Sequence, residues 1–218
     1  MSAQKGEETM ARLQDDGEAV VERFTPTSGR FTGSAAVLLS AALVVAMVVY
    51  LDDGFPVWLG GVALLVGVVS WAAMLRPALW VTEEHLVMRN LAETVHIRLA
   101  AVEELAVRQV LAVRADGRRF VSTVLGRTWR KTVTTRGPAP SGSPSGSSDD
   151  GPREGMPYVD WAEHRIRELV DAARDRAGVA AGSEEQLALP DAVRREPAMV
   201  PLALIAVAAL LLVVSFFL

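Results

Sequence analysis

The chain has 218 residues, 50% of them hydrophobic and 22% charged, averages that fit an ordinary globular protein. A formal net charge of −4 excludes a generally basic nucleic-acid binder. With no cysteine and only three histidines, the sequence excludes a disulfide framework, a thiol nucleophile and a Cys-ligated zinc or iron–sulfur site.

The apolar residues are gathered in three blocks. Residues 1–32 form a tail of mixed charge carrying Lys5, Arg12, Arg23 and Arg30, unlike the short basic start of a signal peptide, so this tail is read as retained and cytoplasmic. Residues 33–51 and 57–75 follow, 19 residues each and uncharged, and residues 198–218 add another 21 uncharged positions. A helix needs roughly 20 apolar residues to cross a hydrocarbon core of about 30 Å, so all three are predicted to span a membrane. Asp52-Asp53-Gly54 is a turn sequence that makes the first two a tight hairpin. The connecting loop 52–56 has no Lys or Arg, whereas residues 76–197 have eighteen. Basic loops stay inside, so the reading is a multi-pass protein of the plasma (inner) membrane, with its tail and middle region cytoplasmic and its C-terminus outside.

From Arg76 the pattern changes to short alternating runs. Ala78–Thr82, His85–Asn90 and Val95–Leu99 read as strands, with Asn90 pairing Val95 across a hairpin. That register puts Leu86, Met88, Val95, Ile97 and Leu99 on one face and His85, Arg89, His96 and Arg98 on the other, exposed one. Ala101–Glu104 reads as a polar step and Leu105–Ala115 as one longer strand. Asp116-Gly117 then turns a hairpin that sets Val113 opposite Phe120 and Arg114 opposite Arg119. Strand character continues toward Val124 and again over Thr128–Thr134. Residues 137–157 are Gly, Ser, Pro and Asp, and read as a flexible insert. Next comes an amphipathic helix capped by Asp160 with Glu163, carrying an apolar stripe of Ala162, Ile166, Leu169, Val170, Ala173 and Ala177, and ending at Gly178. Its other face spaces Glu163, Arg167 and Asp171 for pairing. Residues 179–197 read as a tether with one helical turn from Ser183.

Two apolar segments followed by RPALWVTEEHLVMRNLAETVHIRLAAVEELAVRQVLAVRADGRRF resemble the actinobacterial PH-domain-containing membrane proteins, and among named groups the low molecular weight protein antigen 6 PH domain. The resemblance covers roughly residues 30–135 and lies in strand spacing and in Arg76-Pro77, Leu86-Val87-Met88-Arg89-Asn90 and Ala115-Asp116-Gly117-Arg118. It implies a PH-like fold, a bent antiparallel sheet capped by a C-terminal helix. The fold class expected is therefore α+β: a transmembrane hairpin (33–75), a PH-like domain (76–178), a tether (179–197) and a C-terminal transmembrane helix (198–218). Eukaryotic PH domains hold phosphoinositides with basic residues around the first strand-to-strand loop. Here that loop is read as Thr82-Glu83-Glu84-His85, which is acidic, so that kind of binding is not implied.

The sequence offers no catalytic constellation: no phosphate-binding Gly loop, nucleophile elbow or zinc-protease helix. His85 and His96 are two weak ligand candidates where a metal needs three or four, so no metal, cofactor or enzymatic activity is expected. Residues 76–136 hold eleven Lys/Arg against six Asp/Glu, whereas residues 137–197 hold seven against twelve. The basic set Arg89, Arg98, Arg114, Arg118, Arg119, Arg127, Arg130 and Lys131 is the candidate contact for an anion or a lipid headgroup. A protein partner recruited at the inner face of the membrane is the leading expectation, and anionic-lipid sensing the alternative. A transport role is disfavoured, because the apolar segments hold no ionisable residue.

Overall fold

The computed structural model describes residues 14–15, 18–26, 29–52, 54, 56–126 and 156–217. It is a mixed structure of helices and antiparallel sheet. In chain order the elements are β1 (Gln14–Asp15), β2 (Glu18–Phe24), α1 (Arg30–Val49), α2 (Val57–Ser70, extended by a π-helical turn over Trp71–Leu75), β3 (Ala78–Thr82), β4 (His85–Arg89) and β5 (Glu93–Arg98). There follow a 3-10 turn (Leu99–Ala101), β6 (Val102–Val107), β7 (Leu111–Ala115), β8 (Arg118–Ser122), α3 (Tyr158–Ala177), α4 (Glu184–Leu187), β9 (Val193–Pro197) and α5 (Met199–Ser215). One sheet has the order β1-β2-β3-β4-β5-β9 and the other β6-β7-β8.

The core lies where the two sheets and α3 meet. Leu79, Val81, Leu86, Met88, Val95 and Ile97 from the larger sheet pack with Leu105, Val107, Leu111, Val113 and Phe120 from the smaller one and with Ala162, Ile166, Val170 and Ala173 from α3. Alternate strand residues and one helical stripe supply these side chains, as the patterns predict. Gln186 is buried with them. Its Nε2 donates to Ala100 O and Val102 O at 2.9 Å each, and its Oε1 accepts from Gly182 N at 2.7 Å, so the polar group enters the core fully bonded.

Several sequence expectations are corrected. The β4–β5 hairpin pairs Met88 with Val95 and Arg89 with Thr94, a slip of two residues from the Asn90–Val95 pairing. A slip of two preserves the side-chain parity, so the same five apolar residues are buried. Asn90 is held outside the strand: its N–H bonds Glu93 O at 2.9 Å, and its carbonyl and amide have partners elsewhere. Leu105–Ala115 is two strands rather than one, and Ala101–Glu104 is no polar step but the entrance to β6. A continuous strand would aim Gln109 into the core beside Val107 and Leu111. Turning at residues 108–110, with Arg108 N bonded to Val110 O at 3.1 Å, leaves Gln109 exposed and avoids burying it without partners. His96 is 7% exposed, not on an open face. α3 starts after Pro157 with no side-chain cap, so Asp160 lies inside its first turn, where it complements the helix dipole. Glu163 pairs with Arg167 at 2.6 Å, but Asp171 pairs with Arg174 at 3.0 Å instead. Ala177, expected on the apolar stripe, is exposed.

Two strands lie where none was expected. β2, in the supposed tail, pairs with β3 (Arg23 with Trp80, Phe24 with Leu79). β9, in the supposed tether, pairs with β5 (His96 with Arg194, Ile97 with Val193). The predicted turn from Ser183 is present, with Ser183 Oγ accepting from Gln186 N at 3.1 Å. Strand character over Thr128–Thr134 and the insert up to Gly155 lie outside the described residues.

α1 and the 57–75 helix are each long and apolar enough to cross a membrane. Only 11% and 28% of their apolar windows are buried, so neither is the core helix of the domain. α5 is equally apolar but has 17 residues. α2 is the middle helix, with α1 on one flank and α5 on the other, and small residues bring the backbones close. A Cβ on Gly67 would stand 2.9 Å from Ser40 Cβ, and one on Gly61 3.1 Å from Leu212 Cα; Gly60 lies against Met47. Trp58 of α2 stacks on Phe216 past the end of α5, with ring centroids 6.3 Å apart.

Candidate binding surfaces

The strand registers give the larger sheet two distinct ends. β2 leaves toward α1, β3 arrives from α2 and β9 continues into α5, and all three junctions lie at the end that carries the β4–β5 turn. We call this the helix end. The opposite end carries the β3–β4 turn at Glu83-Glu84, the end of β5 and the start of β9.

The helix end is fastened by side chains and backbone of that turn. Arg76, the first residue after the 57–75 helix, donates from Nη1 to Asn90 O at 2.6 Å and to Leu91 O at 3.2 Å. Ala198, the residue before α5, donates its N–H to Ala92 O at 2.8 Å. Asn90 Nδ2 reaches Val121 O of β8 at 3.1 Å and ties in the smaller sheet. Burial, and secondarily the charge of Arg89, lower the proton affinity of the Arg76 guanidinium from its ordinary value.

The predicted basic set is divided among three places. Arg89 lies at the helix end, its guanidinium carbon 5.0 Å from the Trp80 ring centroid, with Arg23 at 5.7 Å from the same ring. Arg98 lies at the opposite end, paired with His85 in the sheet and 3.5 Å from Pro190 O. Arg114, Arg118 and Arg119 share the β7–β8 tip, and Arg114 is opposite Arg119 as expected. Glu103 answers part of that charge, at 3.4 Å from Arg114 Nε, and its other oxygen accepts from Gly117 N at 2.8 Å. β8 runs from this tip toward Val121, so the tip lies about 10 Å along the strand from the contact with Asn90. Arg127, Arg130 and Lys131 lie outside the described residues. Sequence reasoning passed over Arg76 at the β4–β5 turn and the seat of Arg23 and Arg89 on Trp80. Arg76 immediately after an apolar segment was the available signal.

An open cavity of about 860 Å³ lies over the smaller sheet, lined among others by Glu104, Ala106, Arg108, Gln109, Arg114 and Arg119. Its mixed charges and solvent-open shape lack the apolar walls of a small-molecule site. The β6 strand offers no bare backbone at two positions: Arg174 Nη2 donates to Val102 O, and Arg167 Nη2 to Leu105 O at 3.0 Å. Sheet-edge addition of a partner strand there would displace guanidinium groups.

The histidines each have a carboxylate of their own. His85 Nδ1 is 2.9 Å from Glu18 Oε1, and Thr82 Oγ1 donates to the other oxygen of Glu18 at 2.5 Å. His96 Nε2 is 4.0 Å from Glu196 Oε2. Among the described residues no three His, Asp or Glu side chains converge as a metal-holding group. In comparisons with known proteins, no family model, no curated protein and no solved structure matches this chain.

Proposed function

We propose that this chain is a membrane-anchored, PH-like binding module without enzymatic activity, which recruits a protein partner at the inner face of the plasma membrane. The observation that carries the reading is that three apolar helices join one end of one sheet. Their outward side chains, among them Leu38, Leu39, Val45 and Leu210, are exposed over the length of the helices and need a hydrocarbon surrounding. β2 precedes α1 and β3 follows α2, yet the two strands pair, so the intervening helices cross and return. α5 then crosses once more. Its 17 residues meet the lower limit for a span, and it packs on α2 as far as Ser215. The PH-like part draws support from four consecutive strands (β2–β5) in one sheet, three (β6–β8) in the other and α3 closing the core. In that arrangement the first strand-to-strand connection is the helical hairpin itself.

The absence of cysteine makes the sidedness testable by single-cysteine labelling of the full chain in intact cells. Asp52→Cys, in the loop with no Lys or Arg, should react with an impermeant maleimide, and Arg118→Cys should react only after lysis. Labelling of Arg118→Cys in intact cells would reverse the orientation. Release of the whole chain by an alkaline wash would remove the membrane reading itself. A second reading, contact with anionic headgroups, is favoured by the exposed Arg89 at the helix end rather than by the β7–β8 tip, which lies about 10 Å along β8 from the Asn90 contact.

A further inference from the structure

We propose that Arg89, seated on Trp80, and Arg76, bonded to the neighbouring Asn90 carbonyl, form at the helix end of the larger sheet a site for a phosphate group, supplied by an anionic phospholipid of the adjoining leaflet. The proposal rests on the membrane reading above and narrows its lipid contact to one corner of the molecule. Arg76 is the residue at which the chain leaves the apolar helix, and its guanidinium is held by two backbone carbonyls of the β4–β5 turn rather than by an acid. Arg89 is exposed and rests on the Trp80 ring, which is itself 4% exposed and so gives the cation a rigid seat. The cross-strand row through Arg89 runs Ala78, Arg89, Thr94, Glu196. Glu196 is two strands from Arg89, about 10 Å, and its carboxylate is engaged by Arg194 and faces His96. Among the described residues no carboxylate forms an ion pair with Arg76 or Arg89. Arg76 Nη1 sits 2.6 Å from the carbonyl of Asn90, the residue after Arg89, so the two cations share one turn; burial first and then Arg89 disfavour the charged form of Arg76, and a bound anion offsets the repulsion. Arg23 lies over the same indole, 5.7 Å from its centroid. A guanidinium fork suits a phosphate better than a point charge does.

The test uses the full chain, purified in a neutral detergent and titrated by native mass spectrometry with dioleoyl phosphatidylglycerol or dioleoyl phosphatidylcholine. The wild-type chain should bind the first lipid preferentially. Arg89→Gln should lose about fivefold of that preference, Arg89→Lys should recover part of it, and Arg118→Gln with Arg119→Gln should leave it unchanged. The Arg89 side chain is exposed and rests on an aromatic ring, so its removal spares the fold, which near-ultraviolet circular dichroism of the variant checks. Inorganic phosphate in excess should fail to displace the lipid; displacement would assign the site to a soluble phosphate compound. Equal binding of both lipids by the wild type, or loss at the tip variant and not at Arg89→Gln, would overturn the site. These outcomes are independent of the alkaline wash, which tests whether the chain is a membrane protein at all.

Discussion

Leu38 and Leu86 are the same side chain in opposite circumstances. Leu38, on α1, is 71% exposed; Leu86, on β4, is 0% exposed. The difference extends to the two regions that hold them. The sheet domain buries its apolar residues against one another and turns most of its Arg and Glu outward, while the helices are apolar all round and bury chiefly small residues such as Gly60, Gly61, Ala63 and Ser40. One region makes its own apolar interior, and the other needs one supplied.

The largest effect that separates them comes from truncation. Leu86→Ala should cost about 2–5 kcal/mol, because a cavity opens in a closed core. Leu38→Ala should cost well under that, because lipid fills the space. Thermal unfolding of the two full-length variants in the same lipid environment measures both. Equal losses would mean that α1 is packed against protein, in an assembly that covers it. Introducing charge reverses the ranking of the regions. Leu39→Arg in the middle of α1 should lose about 2.5–3.5 kcal/mol of insertion free energy and shift the chain out of the membrane fraction. An Arg at exposed Val121 of β8 should leave that fraction unchanged. If Leu39→Arg is tolerated, the helix faces water or a polar channel.

Within the helices the small residues carry the packing. Gly61→Val places new methyl groups against the backbone of Leu212, and forcing that contact should cost about 1–3 kcal/mol. The loss should appear as weakened association of α5, read by protease access to the C-terminal segment. An unchanged digestion pattern would mean that α5 does not depend on α2 for its place.

The two regions also differed in how legible they were. The helices are written in composition, which has no register to mistake, and the helical limits fall within three residues of the apolar blocks. In the sheet, parity was legible because it decides burial, but loop lengths were not. Asn90 is drawn out of β4 by Arg76 and Val121, contacts distant in sequence. The turn at Arg108–Val110 was legible only through Gln109, the one polar residue on an otherwise apolar parity. β2 and β9 escaped because each is a single short run next to an apolar helix, and their partners, β3 and β5, lie 50 or more residues away. The candidate site suffered for the same reason. Arg114 and Arg119 meet through a local turn and were paired correctly, whereas Arg76 reaches the turn beside Arg89 only through the sheet-to-helix junction.

The smallest effect tests that local turn. Asp116 and Gly117 both have positive φ, 51° and 64°, the backbone a two-residue type I′ hairpin requires. Gly117 has open space around its Cα, so steric contact with neighbours does not enter. Gly117→Ala should therefore cost about 1 kcal/mol, the penalty of a left-handed conformation for a residue with a Cβ. Because the tip is fastened by Glu103 and lies about 10 Å along β8 from the Asn90 contact, the loss should be confined to stability and leave lipid preference at the helix end intact. A change in lipid preference from this substitution would show that the two ends of the domain are coupled through the smaller sheet, and the helix end could no longer be treated as a site of its own.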